Sequence, residues 1–456
     1  MTEPAREDAS PAEGYPLSST QEFFCSLDQG DDGGAFGLRF IIVSGFRISG
    51  DIDVAALQGA LDEVVARHEL LRTIVARDVT PPCQLVQPPC RVPLEIRDLR
   101  SSASRPPDVV AEELIIEAEH GAMNPRQVPL MHALLGRLAD RDWVLILSVH
   151  HSACDGWSMQ LIVRDLAAFY AARETGHPAQ LPEVRQYREY AAWQRASLAD
   201  AAAEDARSYW QETLAAARIF TLPSDHVRPE IYSRPYSAYN YSISAGAMRR
   251  APALATEMRC SLFMVLLAAF NVLASNITGD TDLVVRAFTT GRNEPQFYHT
   301  IGLFMNLVPF RTNLAGCTSF RDVVASTRDT CLDAYANEIP IHNIEQDCPD
   351  LNLPHGEPRR SQFILGMFQS QFDEATLRVA DSLTHIVKRE LPDQEHTDIP
   401  NGLVWDMTVL ASGELAGEVA YNRDEFEEAT VAGWTSDYRR ILSGALDSPD
   451  RAWKTL

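Results

Sequence analysis

Two adjacent histidines, His150 and His151, are followed by Ser152, Ala153, Cys154, Asp155 and Gly156. An imidazole titrates near neutral pH, so a histidine presented at the end of an element is suited to act as a general base. Residues 144–149, just before the pair, form an apolar run long enough for a buried strand and too short for a helix. Side chains alternate along a strand, so the two histidines face opposite ways. His150 is therefore expected to pack inward as a structural group, and His151 to stand at a strand-to-helix junction. Diverging imidazoles do not share a metal without a kink, and the i, i+4 histidines of a zinc-protease helix are absent, so no metal site is expected. Asp155 is placed to hold the turn through a salt bridge, and Gly156 lets backbone or substrate approach closely. Cys154 raises the alternative of a Cys–His hydrolase, but no strained elbow surrounds it.

The elements that must position these residues are legible on both sides. After Gly156 the apolar period changes, and Ile162, Leu166, Phe169 and Tyr170 fall on one helical face. Upstream, residues 40–48 read as a strand. Residues 50–53 then lead into a helix whose apolar face is Leu57, Leu61, Val64 and Val65. A long Ala-rich polar helix is expected over 187–216, and an irregular Pro/Arg/Ser/Tyr stretch over 222–239 reads as the link between halves. The second half restarts with a helix (262–274), a strand (282–288), a Gly/Arg/Asn loop (290–294), a helix (320–337) and a strand (363–368). Residues 349–360 and 390–402 read as long exposed loops. The expected organisation is α/β in two lobes, 15–221 carrying the histidine pair and 222–456 following, after a leader at 1–14.

A 45% hydrophobic and 23% charged composition is that of an ordinary globular protein. The formal net charge of −23 argues against nucleic-acid binding, which needs clustered Lys and Arg. Lys388 and Lys454 are the only lysines, a bias that fits a GC-rich genome better than a function. No stretch approaches the roughly 20 apolar residues of a membrane span, and the first residues lack the basic start and apolar run of a signal peptide. A cytoplasmic protein is expected. The eight cysteines form no C-x-x-C pair, which leaves a zinc ribbon without support.

The run His150–Ser158 resembles the HHxxxDG signature of the condensation domains of nonribosomal peptide synthetases, down to Trp157 and Ser158. Further matches follow in family order. Residues 17–22 resemble the first motif, 67–73 the second almost letter for letter, 187–193 the fourth and 301–306 the fifth, with Arg292 a short distance before it. Residues 361–363 fit the last motif loosely. The sequence departs from the family at Ala153-Cys154, where aliphatic residues and Ser are usual, and at 343–347, where the sixth motif is barely recognisable.

The resemblance implies two chloramphenicol-acetyltransferase-like lobes in a V-shaped pseudo-dimer with a central tunnel. It implies an acyltransferase whose His151 serves as general base or positioning group, with His150, Asp155 and Gly156 completing the signature. It also implies an Arg partner for Asp155, Arg292 first and Arg72 second. Trp157 and Asn306 are candidates for substrate contact or for packing, and residues 67–73 for a brace within one lobe. No tightly bound cofactor is implied, because the donor arrives on the phosphopantetheine arm of a peptidyl or acyl carrier protein. The chain ends at Leu456 with no adenylation or carrier domain, from which a stand-alone enzyme with a small-molecule alcohol or amine acceptor is expected, ester slightly ahead of amide. Two rivals stand beside it: an epimerase-like relative using His151 for α-proton transfer, and a non-catalytic domain that recruits partner proteins.

Overall fold

The computed structural model of the chain describes residues 14–26, 28, 30, 34–100, 105–229, 236–351, 357–369, 378–386, 393–396, 402–410 and 412–456. Residues 1–13 of the expected leader at 1–14 lie outside them, as do 230–235 of the expected link, 352–356, and most of 390–402.

The first lobe is built on a five-stranded sheet in the order Ser382–His385, Ile41–Ser49, Asp142–His150, Met131–Ala139, Leu94–Asp98. Its central strand is the apolar run that ends in the histidine pair, buried on both faces from Trp143 to Leu147. A strand so covered reads as a continuous hydrophobic segment. Helix Val54–Arg67 starts at Asp53, whose carboxylate accepts from Ala55 N and Ala56 N (2.8 and 3.0 Å), and buries Leu57, Leu61, Val64 and Val65 completely. Helix Gly156–Thr175 lies against it with Ile162, Leu166 and Tyr170 inward. Helix Pro107–Glu119 covers the opposite face of the sheet.

The second lobe carries an eight-stranded sheet in which Arg360–Gln369 pairs in parallel with Leu403–Val409 and, on the other side, with Asp282–Thr289. Helices Leu262–Thr278, Phe320–Ala336 and Glu428–Asp447 pack its core. Asp282–Thr289 and Arg360–Gln369, parallel neighbours joined through helix Phe320–Ala336, make this half α/β, and the mixed first sheet makes the other half the same class.

The lobes interlock. Strand Ser382–His385 leaves the second half to pair with Ile41–Ser49, carrying Leu383 into the first core. Phe297, Ile301, Leu303 and Phe304 join that core too, whereas Ala206, Trp210 and Leu214–Leu222 belong to the second. This exchange explains a correction at 187–216. The stretch forms two helices, Tyr187–Ser197 and Ala201–Thr213, because each serves a different core. The break is made by Asp200 turning extended (φ −85°, ψ 160°). The stretch 222–239 is also more regular than its composition suggests, with strands Thr221–Pro223 and Tyr236–Ile243 at its ends. Among the described residues no single helix is long and apolar enough to cross a membrane.

Candidate active site

The strand Asp142–His150 ends where His150 N donates to Leu130 O and His151 N to Phe40 O, and a single 3-10 turn, His151–Ala153, then leads to Asp155. The alternation of the strand sends the two imidazoles apart. His150 is fully buried. Ser152 N donates to its Nδ1 (3.2 Å), so its proton sits on Nε2, which donates to Gly37 O (3.1 Å). Burial pushes this imidazole down to about 4, so it stays neutral near pH 7. Its contacts fix the turn.

His151 is half-buried and stacks on Phe40, ring centroids 4.6 Å apart at 12°, with the edge of Phe24 at 6.2 Å. Its Nδ1 has no hydrogen-bond partner. Burial pushes its pKa below the usual histidine value, against the opposing pull of nearby backbone and of the Asp155 charge. The result is a neutral ring held flat by an aromatic face, with its Nδ1 turned into the protein.

Asp155 caps the next helix and is the hub of the cluster. Its Oδ1 accepts from Ser158 N (2.8 Å), and its Oδ2 from Phe304 N (2.9 Å) and Arg292 Nη1 (2.7 Å). Arg292 also donates to Ser158 Oγ (2.7 Å), and Ser158 bridges to Gly302, donating to its carbonyl and accepting from its N–H (2.8 and 2.9 Å). Both members of the ion pair are buried. Burial alone raises the Asp155 pKa, but the Arg292 charge and these hydrogen bonds outweigh it and hold the carboxyl below its ordinary range. Arg292 lies over Phe304, 4.1 Å from ring centre, with Gly291 beside it at φ +60°, where a Cβ would strike Phe304 O. Through Arg292 the cluster reaches a cleft of about 260 Å³ lined by Tyr190, Trp193, Phe297, Glu338 and the predicted Asn306.

Of the other expected site residues, Asn306 lines the same cleft as Arg292 and the Trp157 ring lies 5.6 Å from the Arg292 guanidinium, whereas Arg72 sits elsewhere. Arg72 lies away from Asp155 and donates to the carbonyls of Val65, Ala66 and Gln87 within the first lobe. Its neighbours Arg67 and His68 both meet Asp165 (3.0 and 2.8 Å) and Glu69 meets Arg188 (2.7 Å), so 67–73 ties together helices of that lobe. Asn306 latches the 338–341 segment, donating to Glu338 Oε1 and Ile339 O and accepting from Ile341 N. Trp157 donates to Tyr298 O (3.1 Å). Cys154 is a buried thiol, pushed well above its ordinary pKa by burial, and donates to Asp155 O; nothing there makes a thiolate. Sequence reasoning singled out none of three further contributors: Phe40, Phe24 and Tyr187, whose hydroxyl donates to Leu303 O (2.6 Å) and accepts from Ser18. The only signal for Tyr187 is its place at the start of the fourth motif.

The family model for the condensation domain matches residues 12–456. The chain belongs to the condensation-domain family. The SgcC5 protein of Streptomyces globisporus, solved in complex with (R)-(-)-1-(2-naphthyl)-1,2-ethanediol and sucrose, is 34% identical with a TM-score of 0.89, and the match covers 96% of this chain and 100% of that one. Chondramide synthase cmdD of Chondromyces crocatus is 29% identical over 96% of this condensation domain, which spans only 11% of that protein's length. The X-domain solved in complex with OxyB from teicoplanin biosynthesis shares the fold: 24% identity, TM-score 0.73, covering 100% of this chain and 98% of that one. The two lobes are thus the chloramphenicol-acetyltransferase-like halves of a V-shaped pseudo-dimer. The relatives place the domain among natural-product synthetases, where condensation domains work with carrier proteins.

Proposed function

We propose that this condensation domain is an acyltransferase that joins an aminoacyl or acyl group, delivered as a thioester on a carrier protein's phosphopantetheine arm, to a soluble alcohol or amine in a tunnel between the lobes. The observation that carries the reading is the neutral, half-buried His151, stacked on Phe40 at the end of its strand, on a loop fixed by Asp155 and Arg292. The imidazole takes the acceptor's proton as its oxygen or nitrogen bonds to the thioester carbonyl. It returns that proton to the pantetheine sulfur as the C–S bond breaks, so no acyl-enzyme is formed and no bound cofactor is used. Such general base catalysis supplies roughly 10²–10⁴ in rate, and orientation adds to it. His150, Asp155, Gly156 and Arg292 hold the turn in place, Arg72 is assigned to packing, and Asn306, in the cleft lining with Arg292, and Trp157, beside Arg292, are the candidates for substrate contact.

The soluble acceptor, with ester ahead of amide, is supported by the diol bound to SgcC5, a free alcohol in a relative that matches end to end. A partner-recruiting role is the second reading, favoured by the X-domain likeness. A loaded carrier protein incubated with a panel of alcohols and amines tests both. Ester or amide product with free acceptors supports the proposal. Reaction only with a second loaded carrier overturns the soluble acceptor, inverted donor without coupling marks an epimerase, and no chemistry with tight partner binding favours recruitment.

A further inference from the structure

The second-lobe strand Arg360–Gln369 brings Phe368 against the start of helix Gly156–Thr175. A Cβ on Gly156 would lie 2.9 Å from Phe368 Cε1 and 3.0 Å from Cδ1, so the ring abuts the Gly156 backbone directly. Gly366, on the same face of the strand as Phe368, makes room for the Asp406 carboxylate, which takes the place a Cβ would fill, and the Phe368 ring lies at ordinary contact distance beyond it. The ring thus packs on the Gly156 backbone of the first lobe, yet 38% of the residue stays exposed. Scattered exposed apolar side chains are ordinary on protein surfaces and need no explanation. Phe368 differs by its seat, one residue from Asp155 and on the segment that carries His151.

We infer that Phe368 is a specificity-determining residue, its open ring face packing against an aryl or similarly planar apolar part of the soluble acceptor. This rests on the soluble-acceptor reading above. Glycine at 156 then has two consequences: it lets the second lobe close on the catalytic turn, and it leaves the Phe368 ring free to meet a ligand. Aromatic contact favours planar partners beyond the area they bury, by an amount that corresponds to about two- to tenfold in affinity.

The probe is (R)-1-(2-naphthyl)-1,2-ethanediol, with 1,2-hexanediol as the non-aromatic comparator, each titrated calorimetrically into the intact protein. F368A is expected to weaken naphthyl diol binding about two- to tenfold, and F368Y to restore it, while hexanediol binding moves by less than about twofold. F368L, which keeps apolar bulk without a ring, is expected to behave like F368A. Thermal unfolding of each variant confirms the fold. Unchanged naphthyl affinity in F368A overturns the assignment, as does an equal loss for both diols, which marks a structural role. If the wild-type protein binds neither diol but couples two loaded carriers, the soluble-acceptor reading fails and the acceptor role of Phe368 falls with it. Unchanged diol binding with slower use of the loaded carrier places the ring on the donor and overturns the inference.

Discussion

Asp155 Oδ2 stands 2.7 Å from Arg292 Nη1, and this buried pair ties the turn after the two histidines to the loop that precedes Phe304. Removing one partner of such a pair leaves the other charge buried and uncompensated, which costs about 3–5 kcal/mol. Asp155→Asn is expected to fall in that range, because one amide oxygen cannot accept from Ser158, Phe304 and Arg292 together. Replacing both partners by apolar groups, Asp155→Leu with Arg292→Met, is expected to cost less than the sum of the singles. Urea unfolding of the four proteins of this cycle measures the coupling. Additive losses would show that the pair does not act as a unit.

His151→Ala is expected to lower turnover of a loaded carrier with a reactive acceptor by at least about 10²-fold while the melting temperature stays close to wild type. The ring is half-buried and its main contact is the stack on Phe40, so its loss strands no buried charge. Its pKa lies below the ordinary histidine value, and the base is the neutral form. The acid limb of the kcat/KM profile is therefore expected below pH 6.5, with a plateau through neutrality. A limb above pH 7, or near-normal turnover without the imidazole, would sink the base role.

His150 gives a stability prediction with a defined pH window. Its pKa is about 4 in the fold against an ordinary 6.5, so between these values the unfolded chain binds a proton that the native state does not. Stability is then full above about pH 6.5 and lost progressively as pH falls towards 4, by about 3 kcal/mol across the window. His150→Gln is expected to lower stability at pH 7, since Gly37 and Ser152 lose their partner, and to flatten this dependence. Denaturant midpoints at pH 7.5 and 5 for the two proteins decide it; an unchanged slope in the variant assigns the acid loss to other groups.

The local part of the site was legible in the sequence because its signals are local. The apolar run 144–149, the alternation at His150 and His151, and the helical spacing after Gly156 each depend on neighbours within a turn or two. Arg292 as partner of Asp155 came only through family resemblance, since no periodicity links residues on different lobes. Arg72 was an equally charged choice, and what separates the two is the second-lobe loop that carries Arg292 to the helix start. Phe40 and Phe24 were invisible for the same reason: each reads as a core aromatic until the sheet sets Ile41 opposite His150. The division at 221/222 followed a change in composition, whereas the cores exchange segments across it, with Trp210 in the second and Phe304 in the first. Composition carries no record of which core a helix serves. The missed break at 198–200 belongs here too, because an Ala-rich stretch favours helix on both sides of it.

Gly156→Ala separates the packing of the lobes from the chemistry of the turn. Gly156 is the first residue of its helix, and alanine there gains up to about 1 kcal/mol of helix propensity over glycine. Against that gain, the new methyl would sit 2.9 Å from a Phe368 ring carbon, closer than side chains come, so the ring must move by a few tenths of an ångström. Phe368 is part-exposed and has room to turn outward, so the two effects are expected to offset and leave stability within about 1 kcal/mol of wild type. Turnover is expected to fall, because the displaced ring opens the junction beside Asp155. The same substitution in a Phe368→Ala background meets no ring, so its effect on kcat/KM should shrink. A double-mutant cycle on kcat/KM, with thermal unfolding alongside, measures that interaction. Equal losses in both backgrounds would place the role of Gly156 in the turn itself rather than in the approach of the second lobe.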